Sequence, residues 1–355
     1  MDLTALLKDL AAVPAPSFSE GARAGKLMEV WGACGFTPTL DDAGNVRLSL
    51  PGPSGHPHVA LAAHLDTVFP AETDVSVDEH NGTLRGPGVG DNAASLSVLT
   101  AFLCGLTHGA PCPIEVVATT GEEGLGDLRG AKAFLLETAA TLDAFIAVDG
   151  YLPVIVDRSV GVRRYEVCFH AGGGHSWGNA GAPSAIHALG EAIHDLYRLP
   201  LTLEPRTTLS VGKVRGGTSV NSIAAEASLL LDLRSVDAGT LAALDAAVVA
   251  LLRRVERRTR TRLGLRVVGD RPAGLTPNRG LVGAAMGALA ANGLAARTTA
   301  SSTDANAAVP YNLAAIAFGV YEGGFAHRLD EWVNPRSLPL GVKLLSDLVE
   351  RVSGL

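Results

Sequence analysis

Seven side chains able to hold a cation or move a proton stand at the ends of apolar runs: His64, Asp66, Asp91, Glu122, Glu123, Asp149 and His327. In LAAHLDTVFP (61–70) an imidazole and a carboxylate, two positions apart, interrupt a buried-strand pattern. A self-contained His–Asp hydrogen bond in the core accounts for such a pair, and so does a metal ligand with its orienting partner. The others also have plain structural readings. A glutamate pair before glycine suits a solvated loop, and Asp91 in GPGVGDNAASL (86–96) stands where a helix N-cap would. The joint pattern favours chemistry, because burying so many carboxylates is costly without a cation or hydrogen bonds. Two imidazoles with four or more carboxylates make the mixed nitrogen and oxygen set that zinc and similar divalent ions accept. GPGVGD is not a dinucleotide fingerprint, since Asp91 replaces its last glycine.

The elements that must position these groups alternate through the first 150 residues. HVALAAHLDTV, PIEVVATTGEE and DAFIAVDG read as buried strands running into polar or glycine-containing tips. NAASLSVLTAFLCGL and RGAKAFLLE between them suit helices. This alternation predicts an α/β fold with a mostly parallel sheet covered on both faces, its functional groups at the carboxyl ends of the strands. Near residue 160 the pattern changes to one-face alternation, VRRYEVCFHA, and the order to residue 269 becomes β-α-β-β-α-β, an α+β sandwich of ferredoxin-like type. The expected division is a larger domain of 1–160 and 270–355 with a smaller one, 161–269, inserted into it.

Composition sets broad limits. The 355 residues are 47% hydrophobic and 18% charged with net charge −7, an ordinary globular balance with no electrostatic pull toward nucleic acid. The basic run RRVERRTRTR (253–262) reads as a solvated helix end. Cys34, Cys104, Cys112 and Cys168 are widely spread, which predicts reduced core thiols. The N-terminal stretch lacks a basic and apolar signal pattern, and the longest uncharged stretch, 281–296, is too short and glycine-rich for a membrane span. The expected location is the cytoplasm.

AHLDTV (63–68), GVGDNAASL (88–96), TGEEGLG (120–126), AVDG (147–150) and FAHRLDE (325–331) occur in the order and approximate spacing of the M20 metallopeptidases. That family includes glutamate carboxypeptidase, tripeptide aminopeptidase, acetylornithine deacetylase and succinyl-diaminopimelate desuccinylase. The resemblance spans nearly the whole chain and departs at Asn92, where many relatives carry another residue. It implies a zinc-peptidase catalytic domain with an inserted lid and dimerisation domain. It further implies two divalent ions, Zn2+ first with Co2+ or Mn2+ as alternatives. His64 and Asp149 would hold one ion, Glu123 and His327 the other, and Asp91 both. Asp66 would orient His64, and Glu122 would be the general base toward a metal-activated water.

From the inserted domain the resemblance draws His175, in AGGGHSWGN, as a donor to the developing oxyanion, in relatives often from the partner subunit of a homodimer. Asn221 and Arg234, in GGTSVNSIAAEASLLLDLR, become candidates for substrate carbonyl and carboxylate recognition. Thr303, with Asp304 beside it, aligns with a substrate loop whose paired glycines are missing here. The remaining histidines, His56, His58, His80, His108, His170, His187 and His194, belong to no motif. The expected reaction is hydrolysis of a peptide or N-acyl amide bond in a small carboxylate-bearing substrate, by a carboxypeptidase, dipeptidase or deacylase. A tripeptide-type aminopeptidase is the alternative within enzymes, and an inactive binding or scaffold relative the alternative outside them.

Overall fold

The computed structural model describes residues 1–106 and 109–355, so His108 lies outside the described residues. The chain divides into two compact units, Met1–Ser159 with Leu275–Leu355, and Val160–Gly274.

The first unit is built on an eight-stranded sheet. Its strands run in the order Thr39–Leu40, Val46–Leu50, Ile114–Thr119, Val59–His64, Ala144–Val148, Ala314–Phe318, Val154–Ser159 and Arg297–Ser301. The four central strands, from Ile114–Thr119 to Ala314–Phe318, are mutually parallel, with His64 beside Thr119 in register. Their continuous apolar runs follow from burial on both faces. Val59, Leu61 and Ala63 pack into a core with the helices Leu3–Ala11, Ala93–Cys104 and Leu338–Ser353. Ala60 and Ala62, pointing the other way, meet Phe134 and Leu135 of the helix Arg129–Thr138. Parallel strands with both faces covered leave only their ends open to a ligand.

The second unit has a four-stranded antiparallel sheet in the order Thr207–Gly216, Glu226–Ser235, Gly161–His170, Arg262–Arg271. Strict alternation lets Tyr165, Val167 and Phe169 face a core shared with the helices Ala185–Leu196 and Ala238–Thr259. The basic run closes the second helix, and Arg258 pairs there with Glu191 and Asp195 at 2.6 and 2.9 Å.

The cysteine expectation is corrected. Cys34 and Cys104 form a disulfide with Cα atoms 5.5 Å apart, while Cys112 and Cys168 are free. Each bonded cysteine closes a helix, Gly21–Ala33 or Ala93–Cys104, and only the packing of those helix ends brings together residues 70 apart in sequence.

Candidate metal centre

The Val59–His64 strand ends on an imidazole that is 2% exposed. Its Nδ1 lies 3.0 Å from the backbone carbonyl of Asp66 and 3.6 Å from Oδ1 of the same residue. A donor Nδ1–H toward that carbonyl leaves Nε2 as the atom that can receive a cation. Nε2 faces Oδ1 of Asp91 at 2.9 Å. Oδ2 of Asp91 faces Nε2 of His327 at 3.2 Å, and His327 also meets Oε1 of Glu123 at 2.9 Å. One carboxylate therefore presents an oxygen to each of two imidazoles. Asp149, immediately after the Ala144–Val148 strand, completes a group with His64 and Asp91, while Glu123 completes one with Asp91 and His327. Glu122 shares a third group with His64 and Glu123, and within each group the ligand atoms lie within 4.8 Å of one another.

The loop carrying Asp91 is shaped from outside it. The helix Ala93–Cys104 takes Asn92 as its N-cap, without a side-chain capping bond, so the capping reading of Asp91 is replaced by one in which Asp91 precedes the cap and faces the histidines. Buried Glu331 accepts hydrogen bonds from the backbone N–H groups of Gly88 and Asp91, each at 2.8 Å. A Cβ on Gly90 would stand 2.6 Å from Oε1 of Glu331 and 2.8 Å from the Tyr321 hydroxyl. Glycine is needed there for close approach, whereas at Gly88 it serves a positive φ of 71°. Glu331 and His327 share one short segment, so that segment both contributes an imidazole and holds the loop of Asp91.

Electrostatics state the same problem in energy. Burial raises the Asp149 carboxyl to about 7, and the charges of Asp91 and Glu123 add to the rise, with nearby His64 opposing it. Burial and Asp91 likewise push Glu331 to about 8. Hydrogen bonds to Asp91 and Glu123 lift His327 to about 10 against the opposing effect of burial. At His64 burial is the largest influence and disfavours the charged ring, but Asp66 and Asp91 outweigh it and hold its pKa well above the usual histidine value. The site accumulates carboxylates faster than side-chain cations can balance them. This donor set fits divalent cations, which would take the place of the protons on both rings.

With this geometry in view, similarity to known proteins becomes informative. Residues 60–351 match Peptidase family M20/M25/M40. The chain belongs to that family. It is 28% identical over 198 residues to a protein of Neosartorya fischeri named "Probable carboxypeptidase", a match covering 49% of this chain and 44% of that one. It is 22% identical over 224 residues to the acetylornithine deacetylase of Buchnera aphidicola, covering 59% and 58%. The chain thus spans about half the length of the curated relatives it matches. The fold is that of a Staphylococcus aureus tripeptidase, with a TM-score of 0.81, 20% identity, and coverage of 100% of this chain and 98% of that one.

In this M20 chain the remaining expected residues fall in separate places. Thr303 is buried, and its hydroxyl accepts from the N–H of Ala305 within a capping box that includes Asn306. Asp304 is buried beside it and bonded to Thr119 at 2.5 Å, and its charge contributes to the rise at Asp149. His175 pairs with Ser222 in a short antiparallel ladder, and its Nδ1 accepts from the N–H groups of Trp177 and Gly178 at 3.2 and 3.3 Å. That acceptor role leaves Nε2 carrying the proton. Asn221 is its neighbour, the Asn221 carbonyl accepting from the N–H of Ser176. Arg234 sits near the far end of the Glu226–Ser235 strand, held by Asp232 at 2.8 Å, which also binds Arg164. Strand rise alone separates Arg234 from Glu226 by about 26 Å, and the His175–Asn221 pair lies beyond the Glu226 end. The structure joins His175 with Asn221 and keeps Arg234 apart from both.

Two residues escaped the sequence reading. Glu331 closes the FAHRLDE motif four residues after His327, and that place in the motif is the signal that could have marked it; its burial is known only from the structure. Ser17 lies in APSFSE, outside every motif, and its hydroxyl donates to Oδ2 of Asp66 at 2.5 Å. Nothing local marks it.

Proposed function

We propose that this M20 chain is a dinuclear metal-dependent hydrolase that cleaves an amide bond in a small, carboxylate-bearing peptide or N-acyl amino acid. The observation that carries the reading is Asp91, with one oxygen toward His64 and the other toward His327. His64 and Asp149 would hold one ion, Glu123 and His327 the other, and Asp91 both. Zinc suits these donors, and two such ions would supply the Lewis acidity that polarises the scissile carbonyl and makes water nucleophilic at neutral pH.

The protein's own part is to move a proton and hold the substrate. Glu122, adjacent to a ligand carboxylate, takes a proton from the attacking water and returns it to the departing amine nitrogen. His175, protonated at Nε2, donates to the oxygen that gains charge during attack. Asn221 assists it, and Arg234, oriented by Asp232, offers its remaining N–H groups to the substrate carboxylate. One small substrate spans far less than the separation of His175 and Arg234 within a single copy. The reading therefore assigns these two contacts to different copies of a homodimer.

The decisive experiment is Glu122→Ala assayed with saturating metal against dipeptides and N-acyl amino acids. The variant should keep wild-type metal content while losing on the order of 10³-fold or more in kcat. Full turnover in Glu122→Ala would remove the assigned base, and a wild-type protein that neither binds metal nor hydrolyses these substrates would remove the reading itself. Comparing N-blocked with free peptides separates a deacylase or carboxypeptidase from an aminopeptidase.

A further inference from the structure

We infer that Ser17 is a positioning residue for the Glu122–Glu123 pair, acting through Asp66. The inference rests on the hydrolase reading for its activity measurement and on geometry alone for its second measurement. Asp66 is fully buried, and its carboxylate is the hub of a small network. Oδ1 accepts from the N–H of Glu122 at 2.9 Å, and Oδ2 accepts from the N–H of Glu123 at 3.0 Å and from the Ser17 hydroxyl at 2.5 Å. His64 takes the backbone carbonyl of Asp66 at 3.0 Å, with the carboxylate farther away at 3.6 Å. The short bonds of the carboxylate thus aim the glutamate pair as much as the histidine.

A buried carboxylate keeps its charge and orientation only while enough donors face it. A hydroxyl donating to an ionised oxygen is among the stronger of these. The Ser17 oxygen also lies 3.3 Å from the carbonyl of Glu123, so it touches the glutamate segment directly. Its own position is over-determined. Thr67 donates its N–H to the carbonyl of Ala15 at 2.8 Å, and Pro16 bridges to Thr67. Fully buried Arg23 donates to the carbonyls of Val13 and Leu65 at 2.7 and 2.9 Å, tying the segment before Ser17 to the strand end that leads to Asp66. Phe18, next in sequence, holds a positive φ of 75° and donates its N–H to Glu20 at 3.0 Å. A segment anchored on both sides delivers one hydroxyl to one carboxylate.

Removing that hydroxyl leaves Asp66 with two short bonds and room to turn, so the backbone of Glu122 loses its fixed reference. The expected result for Ser17→Ala, assayed with saturating metal, is a kcat lowered on the order of 10- to 100-fold with KM nearly unchanged. Ser17→Thr should recover most of this, and Ser17→Cys, a near-isostere with a weaker donor, should fall between. Hydrogen exchange of the Glu122 and Glu123 amides, followed in the metal-loaded protein, should speed up in Ser17→Ala and return toward wild type in Ser17→Thr. Unchanged kcat and unchanged exchange in Ser17→Ala overturn the inference. So does a loss of activity that follows a drop in melting temperature and is not restored by threonine. If the wild-type protein hydrolyses no amide, the proposed reaction falls while the exchange arm still decides on Ser17: faster exchange upholds the positioning role, and unchanged exchange refutes it.

Discussion

His64 and His175 show how differently the two units hold a functional imidazole. His64 ends a central parallel strand, is 2% exposed, and has each ring nitrogen facing an oxygen, one from Asp66 and one from Asp91. Asp91 is 27 residues away and Asp66 is tied in turn to residues 17, 122 and 123, so the ring is placed by distant parts of the chain. His175 is exposed; its ring accepts from Trp177 and Gly178 and its N–H donates to Asn179, all within four residues, while its backbone pairs with Ser222 in a two-residue ladder. One ring is embedded in a network of buried charges, and the other is presented by a local turn. Loss of the first should spread through neighbouring ligands, whereas loss of the second should be confined to the contact it makes.

The hardest test of that contrast is at the shared carboxylate. Asp91→Asn should lower metal content toward both groups at once and reduce kcat/KM by on the order of 10³-fold, equivalent to about 4 kcal/mol. Metal analysis together with kinetics checks it, and loss of a single ion would break the picture of one carboxylate serving both sides.

A smaller effect is expected from the exposed ring. His175→Ala should keep full metal content and melting temperature and lose on the order of 100-fold in kcat. If His175 serves the partner's site, mixing inactive His175→Ala and Glu122→Ala homodimers with subunit exchange should restore about a quarter of wild-type activity, since only heterodimers then carry one intact site. No recovery after demonstrated exchange would place His175 in its own copy or outside the reaction.

The smallest effect is a pH trend confined to the buried network. In metal-free protein, His327 titrates near 10, above its usual value near 6.5, so the stability from its pairing is complete below 6.5 and fades as pH rises toward 10. Asp149 titrates near 7, above its usual 3.8, so ionising it opposes folding increasingly as pH rises from about 4 to 7. Both signs agree. The melting temperature of the chelator-treated protein should fall as pH rises from about 4, where Asp149 begins to ionise, to about 10, where His327 loses its proton, and added zinc should reverse the fall by supplying the cation that the protons replaced. A flat metal-free profile would show that the network is balanced without metal.

Much of the first unit was legible in the chain because strand ends leave marks. An apolar run stopped by histidine, a glutamate pair or aspartate is a local pattern, and parallel topology brings such ends together. The alternation in VRRYEVCFHA was equally readable, since a sheet with one covered face repeats every two residues. Helix-end signals were weaker. Thr303 aligns with a substrate loop, and in the structure its hydroxyl also accepts the N–H of Ala305 in a capping box, a role the alignment did not signal. Cys34 and Cys104 gave no spacing cue because their bond depends on where two helices end.

By itself the sequence showed which side chains have the chemistry to hold a cation or carry a proton, and that His64 and Asp149 close apolar strands, because these follow from residue type and period. Only the tertiary structure decided what aims them. Asp66 holds the backbone of Glu122 and Glu123 as well as facing His64, Ser17 holds Asp66, and Glu331 holds the loop of Asp91 from 240 residues away. Each of those bonds reaches a backbone N–H or a buried carboxylate far along the chain. A backbone N–H is common to every residue but proline, so only the folded path of the chain shows which one a distant carboxylate will meet.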